Sequence, residues 1–198
     1  MPRVRQEIAR TFAASIAVKR QFLRDNAAVL VQAIETITRA LQAGHKLMLF
    51  GNGGSAADAQ HIAAEFVNRF KIEREPLPAL ALTTDSSTLT SIANDYGYGE
   101  VFAKQVRALG RRGDVALAIS TSGNAPSVLR AVRVCRRLGV HTIALTGGSG
   151  GKLAAAADLV LRVAGTSETA RIQETHILVG PVICEQVDRL LFPAVASR

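Results

Sequence analysis

Five short apolar runs punctuate the chain: KLMLF at 46–50, PALALT at 78–83, VALAIS at 115–120, HTIALT at 141–146 and DLVLRV at 158–163. Their apolarity is continuous rather than alternating, which predicts strands covered on both faces. Between them, Ala56 to Phe70, Glu100 to Leu109 and Pro126 to Leu138 carry apolar residues at three-and-four spacing, and Gly139 stands where a helix C-terminal glycine belongs. Strand and helix in alternation predict an α/β fold, a doubly wound, five-stranded parallel sheet. Residues 1–43 carry helical pattern before it, and a long helix follows over 167–192. The chain therefore reads as one domain over 1–198, with its α/β core at 44–166. Helix at the two ends exceeds what five strands need for cover, which predicts packing between copies of the chain.

Composition narrows the class. With 198 residues and 48% hydrophobic content the chain can bury one ordinary core. No run approaches the ~20 apolar residues that span a bilayer, and the charges of MPRVRQEIARTFAASIAVKRQ are spread where a signal peptide would be apolar. A cytoplasmic protein without a membrane partner is expected. Cys135 and Cys184 sit inside helical patterns with no CxxC spacing, so neither a disulfide framework nor a thiolate zinc site is expected. The net charge of +8 favours anionic partners. Dispersed arginines (among them Arg107, Arg130, Arg133 and Arg137), 5% aromatic content and no tryptophan argue against nucleic acid and leave phosphorylated metabolites.

In open parallel sheets ligands bind beyond the carboxyl ends of the strands. The residues there are GNGGSAAD after the first run, TDSS after the second, STSGN after the third and TGGSGG after the fourth. Glycine lets backbone N–H groups approach an anion, hydroxyls add donors, and a helix N-terminus adds its dipole. A single loop of this kind is ordinary turn chemistry. Four in succession predict a phosphate cradle, with Ser55, Ser120, Thr121 and Ser122 as main donors. It is not a P-loop, since no GKS or GKT follows, and GxGxxG is absent.

GNGGSAADAQH, LTTDSSTLTSIANDYGY, AISTSGN, ALTGGSGG and ARIQETHIL together resemble the signature segments of the phosphoheptose isomerases, members of the sugar isomerase (SIS) domain superfamily. That resemblance implies a homotetramer converting sedoheptulose 7-phosphate to glycero-manno-heptose 7-phosphate for lipopolysaccharide or capsule synthesis. It makes His61 and Glu65 the candidate catalytic pair and, with Gln173, the candidate zinc ligands, one zinc per subunit. Four residues apart on a helix, His61 and Glu65 also share one face. Asn52, Gly53, Ser55, Arg69, Asp95, Ser120, Thr121, Ser122 and Gln173 become the candidate substrate-binding residues, and Asp58 a candidate for orienting His61. An aldose–ketose isomerase needs a base for the carbon beside a carbonyl, and a divalent cation can polarise the oxygens.

Two positions depart from the resemblance. Pro181 stands where a histidine would complete the zinc set and serve as second acid/base, and with Gly180 it is expected to kink the last helix. His176 is the nearby histidine that would have to fill the vacancy. Ala125 replaces a phosphate-binding serine. A second resemblance, through SIANDYGYGEVFAKQVRALG and DRLLFP, is to the non-catalytic DnaA initiator-associating protein, whose partner is the replication initiator protein; Glu65 separates the readings, because a binding protein needs no base there.

Overall fold

The computed structural model describes residues 1–193 and is built on five strands. These are β1 (Leu47–Gly51), β2 (Ala79–Ala81), β3 (Val115–Ser120), β4 (His141–Gly147) and β5 (Leu159–Val163), all parallel in the order β2-β1-β3-β4-β5. Among the described residues seven α-helices surround them: α1 (Pro2–Gln42), α2 (Gly54–Val67), α3 (Ser86–Tyr96), α4 (Val101–Leu109), α5 (Pro126–Leu138), α6 (Gly151–Ala156) and α7 (Thr169–Leu191).

Continuous apolarity in the strands feeds two cores. Leu47, Leu49, Leu117, Ile119, Ile143, Leu145 and Leu161 point to α1, α2 and α7. The alternate residues Met48, Phe50, Ala116, Ala118 and Ala144 meet Phe102, Val106, Val128 and Val132 of α4 and α5. Small alanines on that second face let α5 pack close to the sheet. Cys135 and Cys184 are free and buried, one in each core, and burial pushes both thiols up to about 12.

The N-terminal segment is one helix of 41 residues, buried only from Phe22 onward. Val4, Ile8, Phe12 and Ile16 recur every fourth residue on its exposed half. Farther along α1, Asn26 reaches the outer edge of β5: its Nδ2 donates to the Arg162 carbonyl at 3.1 Å and its Oδ1 accepts from the Arg162 N–H at 2.9 Å. No helix among the described residues is long and apolar enough to cross a membrane.

Three elements differ from expectation, the short α6 among them, which was not foreseen. The second apolar run yields only a three-residue edge strand, and α3, unforeseen, follows it. The sequence of α3, SSTLTSIANDY, buries no residue fully, so its periodic signal is weak; Asp85 starts it by accepting from the Thr88 N–H at 2.9 Å.

Candidate active site

The strand order reverses between β1 and β3, which end side by side with Gly51 opposite Ile119. A crevice opens there. Gly51 permits it by close approach: a Cβ would lie 2.7 Å from the Ser55 Cβ and 2.8 Å from the Ile119 carbonyl oxygen. Gly53 then turns the chain into α2 with a φ of 57°, and Ser55 is buried in the first turn. Neither α2 nor α5 receives a side-chain cap, Gly53 and Ala125 standing at their N-cap positions. Two helix N-termini without side-chain caps thus flank the crevice; in α2 the Ser55 and Ala56 N–H groups turn back to the Asn52 and Gly53 carbonyls at 3.1 and 2.9 Å, and the positive ends of the two helix dipoles remain a setting for an anion.

Asn52 is fixed across this opening. Its Nδ2 donates to Ser127 Oγ at 3.0 Å, and the Tyr98 hydroxyl donates to its Oδ1 at 3.0 Å. Neither Tyr98 nor Ser127 was singled out from the sequence; the only signals were the IANDYGY segment and a hydroxyl in the first turn of α5.

Ser120 is buried at the end of β3, Thr121 half-buried and Ser122 exposed. Gly123 follows with a φ of 64°, and a Cβ on it would overlap the Gly150 carbonyl. The Leu153 N–H donates to the Gly123 carbonyl at 2.9 Å. The TGGSGG loop therefore buttresses the STSG loop. The TDSS loop is likewise engaged locally, since Asp85 also accepts from Thr88 Oγ1 at 2.7 Å and these bonds hold its carboxyl below the usual range.

From the crevice α2 carries the reactive side chains outward. Gly54, His61 and Glu65 are seven and four residues apart, close to whole turns, and so share one stripe. Gln173 of α7 packs its amide on Gly54, with Cδ 3.1 Å from where a Cβ would stand. Farther along, His61 Nε2 lies 3.2 Å from Glu65 Oε1, with the carboxylate the less exposed of the two. Asp58 is buried beside them; desolvation raises its pKa while His61 opposes the shift. Amide, imidazole and carboxylate therefore lie along a single line. As a donor set for a divalent cation it is sparse: among the described residues no group of three or more His, Cys, Asp or Glu could hold a metal. It fits a labile ion better than a tightly held one.

Arg69 and Asp95 stand apart from this line. Arg69 lies past the end of α2 and pairs with Glu73 at 3.4 Å, and Asp95, exposed near the end of α3, accepts from Asn94 Nδ2 at 2.9 Å. Helix α7 passes through Pro181 without interruption, held by buried Val179, Gly180, Ile183 and Cys184 around it, so the proline does not end the helix. His176 does not fill the vacancy that Pro181 leaves. It is wholly buried, its Nε2 3.3 Å from the Thr146 carbonyl, and burial pushes its imidazole down to about 4.

The SIS domain family matches residues 11–147. The chain is 48% identical over 195 residues to the phosphoheptose isomerase of Thermodesulfovibrio yellowstonii, covering 98% of this chain and 96% of the relative. It is 56% identical over 179 residues to that of a Roseiflexus species, covering 90% of each. The solved phosphoheptose isomerase of Neisseria gonorrhoeae matches with a TM-score of 0.88 at 47% identity, covering 93% of this chain and 98% of that one.

Proposed function

The chain belongs to the phosphoheptose isomerases of the SIS domain family, and we propose that it converts sedoheptulose 7-phosphate to D-glycero-D-manno-heptose 7-phosphate, a step of heptose biosynthesis, in the cytoplasm. The observation that carries this reading is the His61–Glu65 pair on the helix that springs from the crevice. Asn52, Gly53, Ser55, Ser120, Thr121 and Ser122 bind the phosphate at the uncapped ends of α2 and α5. The Glu65 carboxylate takes a proton from C1 of the ketose and returns it to C2 of the enediolate. His61 holds that carboxylate in place, and Gln173 meets the substrate at the crevice end of the line. Asp95 and Arg69 act as substrate contacts only by moving toward the crevice or by serving a neighbouring subunit.

His61, Glu65 and, once its amide swings away from Gly54 toward them, Gln173 are the residues that would hold a zinc ion, which when bound polarises the sugar oxygens. With a neutral amide third and Pro181 in place of a further donor, we expect the ion to be lost on dialysis and Pro181→His to raise the retained metal content. An unchanged content would remove the zinc reading. We further propose a homotetramer. The exposed stripe of α1, with the groove of about 340 Å³ lined by Ile16, Phe22, Leu23, Leu178 and Val182, supports it, and light scattering tests it. The rival role as a binding partner of the replication initiator is not favoured, because relatives at 48% and 56% identity are named isomerases.

The deciding experiment incubates the purified protein with sedoheptulose 7-phosphate in deuterated water and follows the heptose by NMR. Deuterium at C2 of the product is expected. Absence of turnover with zinc supplied would overturn the reading.

A further inference from the structure

Glu65 occupies an awkward place. It lies in the last turn of α2, where the helix dipole is negative and a carboxylate is disfavoured, and that turn holds no basic residue of its own. The missing cation comes from outside the helix. Arg74, in the irregular connector between α2 and β2, turns back beneath the helix end with a side chain only 1% exposed. Its Nη2 donates to the Glu65 carbonyl at 2.9 Å, and its Nη1 donates to the carbonyls of Phe66 at 2.8 Å, Asn68 at 3.2 Å and Glu75 at 3.1 Å. Its Nε donates to Asp188 Oδ1 of α7 at 2.9 Å, and that carboxylate is 4% exposed.

One guanidinium thus takes the Glu65 and Phe66 carbonyls in the last turn of the helix that bears His61 and Glu65, and ties that turn to the helix that bears Gln173. The planar fork matters, since a lysine ammonium cannot reach four carbonyls and a carboxylate from one position. The neighbouring connector contact, Lys71 to Glu185 at 2.7 Å, joins the same two elements on the exposed side and touches nothing in α2.

We propose that Arg74, oriented by Asp188, is a positioning residue for the Glu65 base: it fixes the backbone of Glu65, and with it the distance from the carboxylate to the substrate carbon. This rests on the reading of Glu65 as the base. The phosphate end of α2 lies three turns away and does not depend on the clamp.

Arg74→Lys, Asp188→Asn and Lys71→Ala are compared with the parent chain by kcat on sedoheptulose 7-phosphate and by calorimetric titration with inorganic phosphate. The titration counts competent sites, so kcat is expressed per phosphate-binding site. Arg74→Lys is expected to lower kcat per site tenfold or more and Asp188→Asn severalfold, with phosphate affinity and stoichiometry unchanged; Lys71→Ala is expected to match the parent. A merely structural role would lower stoichiometry and leave kcat per site alone, and that result overturns the proposal. Should Arg74→Lys not fold, Asp188→Asn decides by the same reading. Glu65→Gln keeps the two readings apart: if it retains activity, the assignment of the base fails; if it is inactive while Arg74→Lys and Asp188→Asn turn over normally, the positioning role alone fails.

Discussion

The two ends of α2 are built from opposite materials. At its start, glycines and hydroxyls border a crevice with no side-chain cap on the helix, and Gly51 lets the strand come close to Ser55. At its end, a buried guanidinium from the following connector holds the last carbonyls and is itself held by a buried carboxylate of α7. The first end is open because an anion must enter and leave; the second is closed because a base must stay where it is. Binding and chemistry are thereby carried by one rigid element about 20 Å long, at 1.5 Å per residue.

The largest expected effect breaks the chemical end alone. Glu65→Gln removes the base while keeping its shape, and kcat is expected to fall about 10²- to 10⁴-fold. Phosphate binding should survive within a factor of two. Comparable loss of both in steady-state kinetics and calorimetry would merge the two ends.

His176 sharpens the contrast from α7, which spans both ends. It is neutral when folded, with a pKa of about 4 against 6.5 in the open chain. Between those values the unfolded chain binds a proton that the folded chain does not, so stability is full above pH 6.5 and falls as pH drops toward 4. The difference amounts to about 3 kcal/mol at most. His176→Gln, which can keep the donation to Thr146, should flatten the acid side of a Tm-versus-pH curve; an unchanged slope would deny His176 that role.

The smallest effect concerns the binding end. Ser120→Ala should weaken sugar-phosphate binding by about 1.5 to 3 kcal/mol, roughly ten- to hundredfold, without changing kcat at saturation. Equal weakening for the unphosphorylated sugar would move Ser120 out of the phosphate contacts.

The same contrast explains what could be read from the sequence. The five strands and the glycine loops are local patterns, and each emerged from periodicity or turn chemistry. His61 and Glu65 were legible through the resemblance that GNGGSAADAQH carries, and their spacing of four then put them on one helix face. Arg74 and Asp188 were not, since 114 residues separate them and nothing in the DRLLFP segment that opens with Asp188 points to Arg74. Tyr98 and Ser127 escaped for the same reason: they reach Asn52 only once the sheet is formed. The placement of Gln173 at the crevice end of the line, rather than beside Glu65, depends on how α7 lies against α2. Residue spacing carries no information about that. α3 was missed because a half-buried helix rich in serine and threonine has little apolar periodicity.

Asn26 has a consequence beyond packing. A parallel sheet that ends in an open strand offers its unpaired N–H and C=O groups to any passing chain, the first step toward fibrils. Here one side-chain amide imitates the missing neighbour, filling both backbone valences of Arg162, while at the far border β2 is only three residues long. The fold is guarded against polymerising through its own sheet at both margins, by an impostor strand on one and by brevity on the other. Asn26→Ala should accordingly shorten the lag before thioflavin-positive aggregates form under mild heating, and an unaltered lag would assign the guarding to the bulk of α1 instead.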